Sequence, residues 1–146
     1  MIVIDVLGTP APKGSNRAIL RGGFAVMVPG SSDTGKLKIK SWEASVRVAA
    51  QDIARMFVQT PIAVAIVFRL ARPGGHWSKN GGLRPSAPLR PSVKPDVDKL
   101  ARATLDAMTG VVFDDDSRIV ELALHKTYAE PGKEGARIVV KEWSAA

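Results

Sequence analysis

Cysteine is absent from the sequence. That excludes disulfides, thiol catalysis and cysteine-ligated zinc, and it fits a reducing compartment. Aromatic residues are scarce, at 5%, so the core has to be built mainly from aliphatic side chains. No apolar run approaches the ~18 residues needed to span a bilayer, so no membrane is expected as a partner. The stretch MIVIDVLGTPAPKG is not expected to act as a signal peptide, because it lacks a basic head and Asp5 interrupts its apolar run. Acidic residues are the scarcer charge, with 14 Asp and Glu against 21 Lys and Arg and a formal net charge of +7. Such a surplus suggests a polyanionic partner, because neutralising phosphates releases condensed counterions.

What is present fits one small domain over residues 1–146. Residues 1–8 are rich in β-branched residues and predict a strand. A Pro/Gly loop over 9–17 carries Lys13 and Arg17, and 18–29 form a second β-like stretch with a Gly22-Gly23 turn inside it. From about Leu37 to Val58 apolar residues recur at helical spacing, at Ile39, Trp42, Val46, Ala49, Ala50, Ile53 and Phe57. The apolar run 61–72 predicts a buried strand. Residues 97–109 predict a second helix, closed by Gly110. Strands are expected over 119–129, with Val120, Leu122 and Leu124 opposing Glu121 and His125, and over 136–143. The order is roughly β-β-α-β-α-β-β, an α/β class with a mixed sheet and two main helices.

The 72–94 segment differs in composition. It holds Arg72, Lys79, Arg84, Arg90 and Lys94, no acidic residue, and frequent Pro and Gly. No core can be made from it. A loop of this length inside a compact domain is usually functional or disordered, and a mobile cationic arm that closes on DNA is the functional expectation. Trp77 within it is read as a partly exposed anchor or a stacking platform. His76 and His125 are expected at the surface, and Trp42 and Trp143 as packing residues.

The segment 94–118, KPDVDKLARATLDAMTGVVFDDDSR, concentrates carboxylates. Asp96 follows Pro95 and suits the N-cap of the second helix. In a half-extended start, Asp96 and Asp98 point to the same side. Arg102 lies one turn beyond Asp98 and suits stabilisation of charge developing on a phosphate. Asp114, Asp115 and Asp116 then set three like charges together. Two readings stay open on the residues alone. One is a hard divalent cation, Mg²⁺ with Mn²⁺ as substitute, held by carboxylate oxygens for phosphodiester hydrolysis. The other is a structural acidic cluster, suited to caps and turns, in a non-catalytic basic DNA-binding protein.

The run Asp96-Val97-Asp98-Lys99-Leu100-Ala101-Arg102, with Asp106-Ala107-Met108 and Asp115-Asp116-Ser117-Arg118, resembles the signature of the RusA family of Holliday-junction resolvases. That signature is D-x-D-N-L-x-K, then D-A-L, then D-D-x-Q. The resemblance implies a metal-dependent endodeoxyribonuclease with Asp96, Asp98 and Asp116 as catalytic metal ligands and Asp115 beside them. Arg102 stands where the family has a functional lysine, Lys99 replaces an asparagine and Arg118 a glutamine. Four-way junction DNA is the implied substrate and a homodimer the implied assembly. The implied setting is recombination or repair in the cytoplasm of a bacterial host, with a phage or prophage gene. Lys13, Arg17, Arg72, Lys79, Arg84, Arg90, Lys94, Lys99 and Arg118 are the candidate DNA contacts.

Overall fold

The apolar run after Pro61 becomes the centre of the sheet. A computed structural model describes residues 1–14, 17–28, 33–53 and 55–145, without the side chains of Arg17, Ala18 and Val28. Its strands are β1 (Ile2–Leu7), β2 (Arg17–Arg21), β3 (Phe24–Val28), β4 (Ile62–Leu70), β5 (Ile119–Tyr128) and β6 (Gly135–Glu142). Its helices are α1 (Asp33–Ile53) and α2 (Val97–Met108). The main sheet has the order β1-β6-β4-β5. β6 pairs antiparallel with both β1 and β4, and β4 pairs parallel with β5. The α/β mixed sheet with two helices is therefore as expected. The second β-like stretch resolves into a hairpin of its own, β2–β3, turned by Gly22 and Gly23. Both glycines have positive φ, at 57° and 84°, which a side chain would disfavour.

Period-two burial sets the sheet's two faces. Ile62, Val64, Ile66, Phe68 and Leu70 of β4 line up with Ile138 and Val140 of β6 and with Ile4 and Val6 of β1 in one buried layer. α1 covers it with Trp42, Val46 and Ala50, and α2 with Leu100, Ala101, Ala103, Thr104, Ala107 and Met108. Trp42 is a packing residue, as expected, and its indole N–H donates to the buried Thr104 hydroxyl at 3.0 Å. That hydroxyl in turn donates to the Leu100 carbonyl at 2.9 Å. The two helices are thus joined by a satisfied polar contact inside the core.

Several expected positions shift. α1 starts at Asp33 and ends at Ile53, before the expected limit at Val58. Phe57 is instead drawn against Phe113, with its N–H on the Val112 carbonyl at 2.8 Å. Ile53, the last residue of α1, is exposed. Val120 and Leu122 were expected to face inward but are largely exposed, because β5 is an edge strand and α2 overlies only part of it. Trp143 follows the end of β6 and is exposed rather than packed. On β6, any side chain at Gly135 would collide with the Val6 carbonyl. The bare glycine lets β1 approach, and Arg69 of β4 clamps the same corner through the Asp5 carboxylate at 2.7 Å and the Lys133 carbonyl at 3.0 Å.

Candidate active site

β4, the 71–96 segment, α2 and β5 form a crossover between parallel neighbours. The start of α2 is thereby delivered to the C-terminal ends of β4 and β5, where open α/β sheets place their ligand sites. Asp96 is the N-cap residue of α2, with extended φ −69° and ψ 138°, and its side chain makes no capping hydrogen bond. This is the extended start expected at Asp96, and Asp98 follows as the second residue of the helix. Both carboxylates are exposed. Lys99 approaches Asp96 at 3.3 Å, so a cation expected to contact DNA sits beside a candidate ligand.

Lys126 was not anticipated. It lies on β5 in register with Phe68, and it donates to the Val93 carbonyl at 2.7 Å and the Pro95 carbonyl at 2.9 Å. It pins the chain immediately before Asp96. The sequence held one sign of it, a lysine continuing the Leu122, Leu124 alternation on the helix side of the strand.

The Pro-Lys-Gly loop closes the other flank. The Lys13 N–H donates to the Lys99 carbonyl at 3.1 Å, and its ammonium meets Asp106 at 2.5 Å. Lys13 and Asp106 therefore hold the loop on α2, and Lys13 is not an unpaired phosphate contact. Arg102 is exposed and has no ion-pair partner among the described residues. A cavity of about 570 Å³ opens beside Asp96, walled by Pro10, Pro12 and Pro95 and edged by Lys38, Lys94 and Lys99.

The second acidic group lies elsewhere. Asp114 accepts from the Gln59 N–H just before β4 begins, whereas Asp96 adjoins Lys126 near the strand's other end. The 12 residues of α2 separate them, which is about 18 Å at ~1.5 Å per residue. Asp114 is bound by Arg118 at 3.0 Å, and that guanidinium holds its carboxyl below the usual carboxylate range. The Asp114 carboxylate raises Arg118 in return. Arg118 is therefore committed within the fold. Asp115 caps the short 3₁₀ turn 116–118, accepting from the Ser117 N–H at 2.8 Å, and this bond holds it low too. Asp116 is exposed. Among the described residues no three Asp, Glu, His or Cys side chains come together as a metal-binding group. Asp96 and Asp98 thus lie at the start of α2, and Asp114, Asp115 and Asp116 follow its other end.

The cationic segment 72–94 divides in two. Arg72 lies over the Tyr128 ring at 4.2 Å and donates to the Pro88 carbonyl at 2.7 Å, and Arg84 donates to the Trp77 carbonyl at 2.9 Å. His76 is half-buried, edge-on to Tyr128. The Arg72 and His76 contacts with Tyr128 tie the segment to the end of β5, and the others brace it internally. Lys79, Arg90 and Lys94 are exposed. Arg17 opens β2, and its side chain lies outside the described residues.

Fold and site together define a small α/β domain with exposed carboxylates and surplus cations at the carboxyl edge of a parallel strand pair, an arrangement suited to work on a phosphodiester. The profile of the family described as "Endodeoxyribonuclease RusA" matches residues 8–141. The chain belongs to that family, whose members are endonucleases acting at Holliday junctions. It is also 29% identical over 147 residues to the "Uncharacterized protein YqaN" of Bacillus subtilis (strain 168), covering 99% of this chain and 98% of that one. No helix is long and apolar enough to cross a membrane among the described residues.

Proposed function

We propose that this protein is a Mg²⁺-dependent resolvase that cuts opposed strands of four-way junction DNA as a homodimer, in phage-linked recombination or repair. The observation that carries it is the exposed Asp96–Asp98 pair at the start of α2, held from one side by Lys126 and from the other by the Lys13 loop. Mg²⁺ is commonly bound through one or two carboxylates, with water and phosphate oxygens completing its shell. Asp96 and Asp98 fit that demand, and Mn²⁺ would serve in its place. When bound, such an ion polarises a phosphate and lowers the pKa of attacking water. The chain's own residues position the backbone. Arg102, one turn from Asp98, faces charge developing on the phosphate. Lys79, Arg90 and Lys94 draw in the strands on either side.

Asp115 and Asp116 follow the far end of α2. If they ligate the same ion, they come from the other protomer. A two-fold dimer also presents two sites to symmetry-related strands. That no three carboxylates come together among the described residues of one chain favours a second reading, a non-catalytic junction-binding protein. Incubation of the protein with a synthetic four-way junction, with EDTA and then with added Mg²⁺, separates the two. Paired nicks that require added metal are the expected result. Binding without nicks by folded protein at any Mg²⁺ or Mn²⁺ concentration would leave the binding module.

A further inference from the structure

The β2–β3 hairpin has no place in the cutting site, yet its composition is distinctive. It forms a two-stranded sheet of its own, and neither strand packs extensively on any other element among the described residues. Leu20, Phe24 and Met27 are 79%, 76% and 63% exposed. A lone hairpin is marginal in water, and apolar side chains left in solvent add nothing to its stability. A partner that covers them would account for them.

The charge on this segment identifies the partner's chemistry. Between Asp5 and Asp33 the chain has no acidic residue, and it carries Lys13, Arg17 and Arg21. Arg21 and Phe24 are directly paired across the two-glycine turn. Opposed residues of an antiparallel pair project from the same face, so a guanidinium and a phenyl ring emerge side by side at the tip. Arg21 has no ion-pair partner among the described residues. A second copy of this chain, at a net +7, is as a whole a poorer counterpart for Arg21 than a polyanion is. Nucleic acid offers the complementary pair, a phosphate beside the face of an unstacked base.

We propose that this hairpin is a wedge that enters the branch point of junction DNA, with Phe24 stacking on an exposed base and Arg21 on the neighbouring phosphate. The proposal rests on the resolvase reading. Its test uses the full chain, EDTA to prevent cutting, and a four-way junction carrying 2-aminopurine at the branch point. Wild-type protein should raise the fluorescence of that base as it unstacks. Phe24→Ala should abolish the rise and weaken junction binding about tenfold, with duplex binding nearly unchanged, and Phe24→Trp should restore both. The tip is exposed, so an unaltered melting temperature is expected for each variant. An undiminished rise with Phe24→Ala would overturn the wedge, as would a loss of dimer mass in sedimentation, which would assign the hairpin to a second copy. A wild type that prefers junction to duplex but leaves 2-aminopurine stacked would overturn the wedge alone. A wild type without that preference would overturn the resolvase reading with it.

Discussion

Asp96 and Asp98 stand exposed at the start of α2, with Lys99 as a close cation, whereas Asp114 and Asp115 at the far end of the sheet are bound by Arg118 and by the Ser117 N–H. The same residue type does different work in the two places. A carboxylate bound within the fold secures a turn, and one left to solvent remains open to a ligand. Motif spacing treats the five aspartates alike, and the difference lies in their neighbours.

The largest expected effect would test the first group. Asp98→Asn should lower junction cutting at least about a hundredfold while binding persists, since residues that merely support a metal ligand already cost about 10–100-fold. Cutting at wild-type rate would remove Asp98 from the chemistry. Mixing Asp98→Asn with Asp116→Asn, each inactive alone, sharpens the comparison further. If the two acidic groups meet across a dimer, each mixed dimer keeps one intact site, and nicking of a single strand should return. If each site lies within one chain, no mixed dimer holds an intact site and the mixture should stay inactive.

Lys126→Met should cost roughly tenfold in cutting, the lower end of the range for supporting residues, because it releases the Val93 and Pro95 carbonyls. Rates indistinguishable from wild type would show that the chain before Asp96 is held without it.

Asp114→Asn should leave cutting intact and lower the melting temperature modestly. Asp114 titrates lower in the folded chain than its ordinary value of 3.8. Its stabilisation is therefore complete above that pH and is lost as pH falls below it. The melting-temperature gap between wild type and variant should be constant near neutrality and close in acid. A gap that widens on acidification would contradict the assignment. Lys13→Ala should have the smallest effect. Both partners of its ion pair are over a third exposed, and such pairs contribute ~0–1 kcal/mol, so chemical denaturation should barely distinguish it from wild type.

Much of this was legible from local pattern. β-branched residues marked β1, a continuous apolar run marked β4, helical spacing marked α2 almost to the residue, and the D-x-D pair after Lys94-Pro95 marked the start of that helix. The ends of α1 were less legible, because Phe57 leaves the helical register for a contact with Phe113, 56 residues further along the chain. The exposure of Val120 and Leu122 followed from strand order, which alternation along one strand does not carry.

The aspartates divide along the same line. Which residues could ligate a cation is a property of residue type and spacing, and it is present in the linear chain. Which of them remain open depends on pairings such as Asp114 with Gln59 or Lys13 with Asp106, 93 residues apart. Those exist only once parallel β4 and β5 have set the two ends of α2 against opposite ends of the sheet.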